Sequence, residues 1–213
     1  MARKKKIAVK RQAWNKGLEV GKRDAFTPAQ VKRIRGVLAH RGVSGLRDLA
    51  LFSMAIDTML RGPDLVALTV RDVQLSNGTI RSVIKIARAN GKPPIQCAVS
   101  EKTANALGKW IAESGVEGAD YIFPGQGGGR PMSSRQMARL LKSWVAAAGF
   151  DSAKYGTESL RRTKALHILN STGDLETVRM LLGHEKIEST SHYLSIGKGT
   201  KSDPMAISRA FDI

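Results

Sequence analysis

Leu46, Leu49, Phe52, Met54, Ile56 and Leu60 spread apolar side chains over most sides of a helix, not along one stripe. Such a helix is stable only when other elements enclose it, so this segment must be the centre of a folded unit. Ser44 is its predicted N-cap. Arg61-Gly62-Pro63-Asp64 ends it, since proline has no amide hydrogen to donate and glycine favours a chain reversal. The 42% of apolar residues suffice to surround it, which excludes a disordered chain. No apolar run approaches the roughly 20 residues that a membrane span requires.

The flanking segments supply the enclosure. Thr27-Pro28 reads as an N-cap followed by proline at the first helical position, before a stripe of Val31, Ile34, Val37 and Leu38. A short helix over Asp64–Leu68 is expected next. Residues 72–100 then change period. Asp72–Leu75, Thr79–Ala87 and Ile95–Val99 read as strands, with Ser76-Asn77-Gly78 as a hairpin turn and Arg88–Pro94 as a second, basic turn. Helical spacing resumes with Leu107, Trp110 and Ile111. After a glycine-rich loop, Pro124–Pro131, Ser133 or Ser134 caps an amphipathic helix of Met137, Leu140, Leu141, Trp144, Val145 and Ala148. Further helices are expected over Ser159–Leu169, after the Asp174 cap, and over Ser189–Leu194. The fold class is therefore mainly α with a small three-stranded antiparallel β-sheet. The glycine-rich loop has neither a preceding strand nor a following GKS/T, so it is not read as a phosphate-cradling loop.

Charge narrows the function. Thirty-five Lys and Arg face 18 Asp and Glu, a formal net charge of +17. That excess points to a polyanion, most often nucleic acid. It is uneven: residues 1–23 carry nine Lys/Arg, including Lys4, Lys5 and Lys6, against Glu19 alone. Residues 1–25 read as a basic arm making phosphate-backbone contacts, with a solubilising tail as the plainer alternative. Trp14 in that arm either stacks on a base or docks loosely. Arg130, and Arg135, Arg139 and Lys142 off the apolar stripe of their helix, are candidate DNA contacts, a solvated face being the alternative. The single cysteine, Cys97, excludes an internal disulfide and a cysteine-built metal site. With no signal-peptide stretch at the start, an intracellular location is expected.

Three short constellations carry chemistry: Arg61 with Asp64; Glu158-Ser159-Leu160-Arg161-Arg162; and Leu182-Gly183-His184 followed by Tyr193. Singly, each has an ordinary reading as a helix-end charge, a cap or a packed ring. Together they match the demands of phosphodiester transesterification. Two guanidinium groups can bind nonbridging oxygens and stabilise the charge that grows there in the transition state. A tyrosine hydroxyl can attack phosphorus and conserve the bond as a phosphotyrosine. A lysine can protonate the departing oxygen. None of these steps requires a metal or cofactor.

In these boxes, and in their order, the chain resembles the tyrosine recombinase (phage integrase) family over roughly residues 26–195. Arg61-Gly62-Pro63-Asp64-Leu65 resembles the first box, Ser159-Leu160-Arg161-Arg162-Thr163 the second, and Leu182-Gly183-His184 with Thr190 and Tyr193 the third. The resemblance implies a site-specific DNA recombinase, of integrase or invertase type, working through a covalent 3′-phosphotyrosine. It implies Tyr193 as nucleophile, Arg61 and Arg161 as phosphate clamp, His184 as hydrogen-bond donor to the phosphate, and Asp64 as architectural support. Lys92, the only lysine of the second turn, is the expected general acid. Arg88 stands where some relatives place that lysine, and is too basic to release a proton easily. His192 is read as a supporting neighbour of Tyr193, and Arg162 as a DNA contact.

One position departs from the family: Glu158 stands where a histidine is usual. An ionised carboxylate cannot donate to phosphate, and repels it by about 1–4 kcal/mol at a few ångströms and intermediate dielectric. Glu158 protonated or turned toward Arg162 or Lys164, a slowed enzyme, and a DNA-binding relative that cuts poorly are the open readings; the slowed enzyme is preferred, and a gain in rate is expected from Glu158→His. The resemblance also implies double-stranded DNA as partner and a homo-tetramer on synapsed DNA. It allows an accessory DNA-bending protein, and no membrane. A cytoplasmic, nucleoid-associated protein of a bacterium or phage is expected. Residues 1–25 are too few for the helical domain that commonly precedes the catalytic one. Residues 196–213, with Met205, Ile207 and Phe211 at helical spacing, dock either on a neighbouring subunit or on their own chain.

Overall fold

The computed structural model describes residues 23–87 and 94–194. The basic arm to residue 22, the turn holding Arg88 and Lys92, and the tail from 195 lie outside them.

Helix α1 (Pro28–Ala39) starts at Thr27, whose side chain accepts from the Gln30 amide while the Gln30 side chain accepts from the Thr27 amide. Helix α2 (Gly42–Thr58) is the enclosed centre. Leu51, Phe52 and Met54 are fully buried, and α1, α5 and α7 pack on it. It begins before Ser44: Arg41 is the N-cap, and the Ser44 hydroxyl donates back to the Arg41 carbonyl. It also ends two residues before Leu60. Met59 takes a left-handed backbone (φ 51°), uncommon for a side chain of this size, and turns the chain toward Arg61. The next helix, α3 (Gly62–Val66), starts earlier than expected because Pro63 occupies its first turn.

The expected first strand is absent among the described residues. Asp72 instead accepts from both the amide and the hydroxyl of Thr69, a capping arrangement that starts a helical turn, α4 (Val70–Val73). The turn after it is real, but supports only an isolated bridge between Gln74 and Ile80. The sheet therefore has two antiparallel strands, β1 (Val83–Ile86) and β2 (Ile95–Ala98), with Ile84 opposite Cys97.

Helix α5 (Glu101–Ser114) is capped by Ser100, whose amide and hydroxyl both donate to Asp57 of α2. Helix α6 (Ser134–Ala147), capped by Ser133, buries Met137, Leu141, Trp144 and Val145. Trp144 meets Phe52 edge-on at 6.0 Å, and its indole N–H donates to the buried Asp48 carboxylate at 2.7 Å. That carboxylate also holds Arg47 at 2.8 Å, so its burial is compensated on both oxygens.

After a 3₁₀ turn (Ser152–Lys154) come α7 (Thr157–Thr172), α8 (Leu175–Leu182) and α9 (Ile187–Leu194). These three, with Met59 from the end of α2, build a second, smaller cluster: Met59, Ala165, Val178, Leu182 and Leu194, with Leu169 and Tyr193 packed against it. The chemistry-bearing residues after Gly156 thus sit on a satellite of the main core. The protein is mainly helical with a small antiparallel sheet. No helix of the described residues is long and apolar enough to cross a membrane.

Candidate active site

Arg161 is the anchor. It lies one turn into α7 and is only 6% exposed. Its Nη2 donates to the carbonyl of Leu182, the last residue of α8, at 2.5 Å. Its buried Nε has no hydrogen-bond partner. Burial lowers its pKa, opposed by the nearby Tyr193 and Glu158 and reinforced by Arg61. A buried guanidinium with an unused donor, in no ion pair among the described residues, is chemically suited to bind an anion. Its field reaches β2 as well. Burial pushes the Cys97 thiol up to about 11, and Arg161 opposes that rise.

Arg61, exposed at the N-terminus of α3, and Asp64 line one cleft of about 190 Å³ with Arg161 and Gly183. The strand ends contribute Ile86, Ala87 and Ile95 to the same cleft. The first and second boxes, 100 residues apart, therefore share one wall of the molecule.

The third box is positioned through backbone. Gly183 ends α8 with φ 69°, the left-handed conformation that a glycine takes without strain. His184 follows, its Nδ1 3.0 Å from the hydroxyl of the buried Thr190. Burial, then the charges of Arg161, Arg61 and Arg179, hold its imidazole below its ordinary value, opposed by Glu158. At neutral pH it is therefore mostly neutral. When the Thr190 hydroxyl donates to Nδ1, Nε2 keeps the proton and can donate it to an anion.

Tyr193, half-buried on α9, closes the group. Its ring meets His184 edge-on at 5.6 Å, and the guanidinium carbons of Arg161 and Arg162 lie 5.9 and 5.2 Å from its centroid. Its hydroxyl donates to the Glu158 side chain at 3.2 Å and lies 3.4 Å from the Glu158 carbonyl oxygen. Burial, then the Glu158 charge, push the phenol well above its ordinary value, with Arg161 and Arg162 opposing. Glu158 is thus directed to the hydroxyl, not to Arg162 or Lys164 in an ion pair.

The structure brings Arg61, Asp64, Glu158, Arg161, Arg162, His184 and Tyr193 into one region. Arg162 is drawn inward, donating to the Arg23 carbonyl at 2.7 Å. His192, beside Tyr193, is exposed. Arg135, Arg139 and Lys142 lie on the exposed face of α6, and Arg130 on the loop before it. Lys92, Arg88, Lys4, Lys5 and Lys6 fall outside the described residues. Among those described, no group of three or more His, Cys, Asp or Glu is placed to hold a metal.

Sequence reasoning passed over Arg179. It grips Glu176 with two hydrogen bonds (2.6 and 2.7 Å) and donates to the His184 carbonyl at 2.5 Å. The pair Glu176/Arg179, three apart on a helix, was the available signal, but nothing in the spacing identifies the carbonyl target.

The phage integrase family model matches residues 24–198. The chain is 34% identical over 149 residues to tyrosine recombinase XerC of Xanthomonas axonopodis pv. citri (strain 306), covering 70% of this chain and 47% of that one. It is 29% identical over 172 residues to tyrosine recombinase XerD of Vibrio cholerae serotype O1, covering 80% and 56%. It therefore spans about half the length of these curated relatives. The crystal structure of XerA recombinase superposes with a TM-score of 0.69 at 21% identity, over 87% of this chain and 61% of that one. A post-cleavage complex of XerH recombinase with palindromic difH substrate gives 0.67 at 18%, over 84% and 51%. These two likenesses speak to the fold.

Proposed function

The chain belongs to the phage integrase family, and from that premise we propose that it is a site-specific DNA recombinase that cuts and rejoins double-stranded DNA through a phosphotyrosine at Tyr193. The observation that carries the reading is the convergence of Tyr193 with the buried, unpaired Arg161. Arg61, Arg161 and Gly183, one from each box, line one cleft, and the Arg161 guanidinium carbon lies 5.9 Å from the Tyr193 ring centroid, which supports this reading.

In this reading the scissile phosphate enters between Arg61 and Arg161, which bind its nonbridging oxygens. His184 Nε2 donates a further hydrogen bond. The Tyr193 oxygen attacks phosphorus, the bond to the 5′ oxygen breaks, and Lys92 supplies that oxygen with a proton. Support for Lys92 is indirect: Ile86, Ala87 and Ile95, the described residues nearest its turn in sequence, line the cleft of Arg61 and Arg161. Asp64 tempers the charge of the two arginines. Arg130, Arg135, Arg139 and Lys142, with Arg88 and the arm lysines Lys4, Lys5 and Lys6, neutralise backbone phosphates. The chain acts as a homo-tetramer on synapsed DNA, with an accessory DNA-bending protein as a further partner.

A second reading, binding without cutting, is favoured by one observation: the Tyr193 hydroxyl is engaged by Glu158. A nicked duplex that the chain binds separates the two. The enzyme traps a covalent adduct and Tyr193→Phe does not, whereas the binder traps none.

A further inference from the structure

If the chain cuts DNA as proposed, and this inference rests on that reading, the phenolic proton of Tyr193 needs an acceptor. Burial and neighbouring charge make the hydroxyl a weaker acid than a free phenol, so the phenolate is scarce at neutral pH. The proton must leave as the O–P bond forms. The groups that face this hydroxyl are few. On α7 they are Glu158, Arg161 and Arg162, and on the turn after α8, His184; Arg61 and Asp64 of α3 act on Arg161, one step removed, and His192 is the exposed neighbour of Tyr193 on α9. The arginines are donors only. His184 approaches the Tyr193 ring edge-on and directs Nδ1 to Thr190. The Glu158 carboxylate is the side chain that accepts from the hydroxyl, at 3.2 Å.

The geometry points to Glu158 as the general base for Tyr193, a catalytic residue that takes over at the position where the family usually carries histidine. In cleavage the Tyr193 oxygen bonds to phosphorus, its proton passes to Glu158, and the bond to the 5′ oxygen breaks, the departing oxygen taking a proton from the general acid. Glu158 becomes neutral in the same step. The like-charge repulsion that a glutamate would impose on the phosphate vanishes as charge builds on the phosphorane, and the new O–H can donate to a nonbridging oxygen. In rejoining, the 5′ hydroxyl attacks phosphorus and Glu158 returns the proton to the departing tyrosine oxygen. A carboxylate here is an acceptor first and a donor second, whereas the same residue is only repulsive if it faces the phosphate without the tyrosine.

The test measures covalent-adduct formation by rapid quench between pH 5 and 9. The probe is a nicked duplex selected from a randomised library by non-covalent binding to the full chain. Glu158→Gln, which keeps size and hydrogen bonding, is expected to slow the adduct about 10²–10⁴-fold at every pH with DNA binding equal or tighter. Glu158→His is expected to recover most of the rate that Glu158→Gln loses, because imidazole is also a base, instead of exceeding the parent as the sequence alone suggested, and to move the acid limb of the profile up. Glu158→Gln within threefold of the parent, or Glu158→His with an unmoved acid limb, would overturn the assignment. Circular dichroism checks that both variants fold. If the parent chain yields no adduct while binding DNA, the recombinase reading fails and this inference falls with it. A parent adduct with an undiminished Glu158→Gln rate sinks the inference alone.

Discussion

Arg161 donates to the Leu182 carbonyl at 2.5 Å, so the side chain assigned to the phosphate also fixes the turn that presents His184. The second and third boxes are one mechanical unit, and the same hydrogen bond keeps a buried cation in place without an ion pair among the described residues.

That cation is costly to the fold. Burial lowers its pKa, which means that the folded state tolerates its charge instead of gaining from it. Arg161→Leu is expected to leave stability within about 2 kcal/mol of the parent in urea unfolding, since relief of desolvation offsets the missing hydrogen bond. Adduct formation should fall at least 100-fold. A large drop in stability would mean that Arg161 is mainly structural.

His184 and His167 give the DNA-free chain a pH-dependent stability. Both imidazoles lie below their ordinary value of 6.5, His184 through burial and then Arg161, Arg61 and Arg179, His167 through burial and then Lys164. The unfolded chain therefore binds more protons at mildly acid pH. Stability is fully present above 6.5 and is lost as pH falls through the depressed native values. The urea midpoint should drop between pH 7.5 and 5.5, and the double variant His167→Gln, His184→Gln should flatten that dependence.

Arg179 acts through backbone. Its bond to the His184 carbonyl and its grip on Glu176 orient the turn that carries His184. Arg179→Met is expected to slow adduct formation about tenfold through misplacement of a donor by a fraction of an ångström, with DNA affinity unchanged. A matching fall in affinity would indicate a direct phosphate contact instead.

The exposed α6 cations test the DNA face. Arg135→Gln, Arg139→Gln and Lys142→Gln together should weaken binding for all sequences. They should also reduce the slope of log K against log salt by about 0.9 for each phosphate that is no longer neutralised. An unchanged slope would place this face in solvent.

Much of this architecture was legible in the residues because its signals are local. Thr27, Ser133 and Asp174, each expected as a cap, do cap the helices that follow them. The enclosed helix was visible from its apolar positions, as Phe52 and Met54 confirm. The strand expected over Asp72–Leu75 fails for a local cause too: a Thr69–Asp72 pair caps a helical turn there. The boundary at Met59 was not legible, since nothing in the residue type marks a left-handed backbone there and its side chain packs in the satellite cluster, built largely from residues over 100 positions later. In the site, the boxes told which residues belong together. They did not tell that Glu158 would turn to Tyr193, because that contact joins α7 to α9 and no spacing encodes their packing, or that Arg179 would hold His184, because the acceptor is a backbone carbonyl in the turn after α8.

The most direct measurement is covalent trapping on a nicked duplex that the chain binds. A phosphotyrosine mechanism predicts that the parent protein forms a protein–DNA adduct that survives denaturation and maps to Tyr193, and that Tyr193→Phe binds the same duplex but forms none. Binding by the parent with no adduct, or an adduct that persists in Tyr193→Phe, would contradict it.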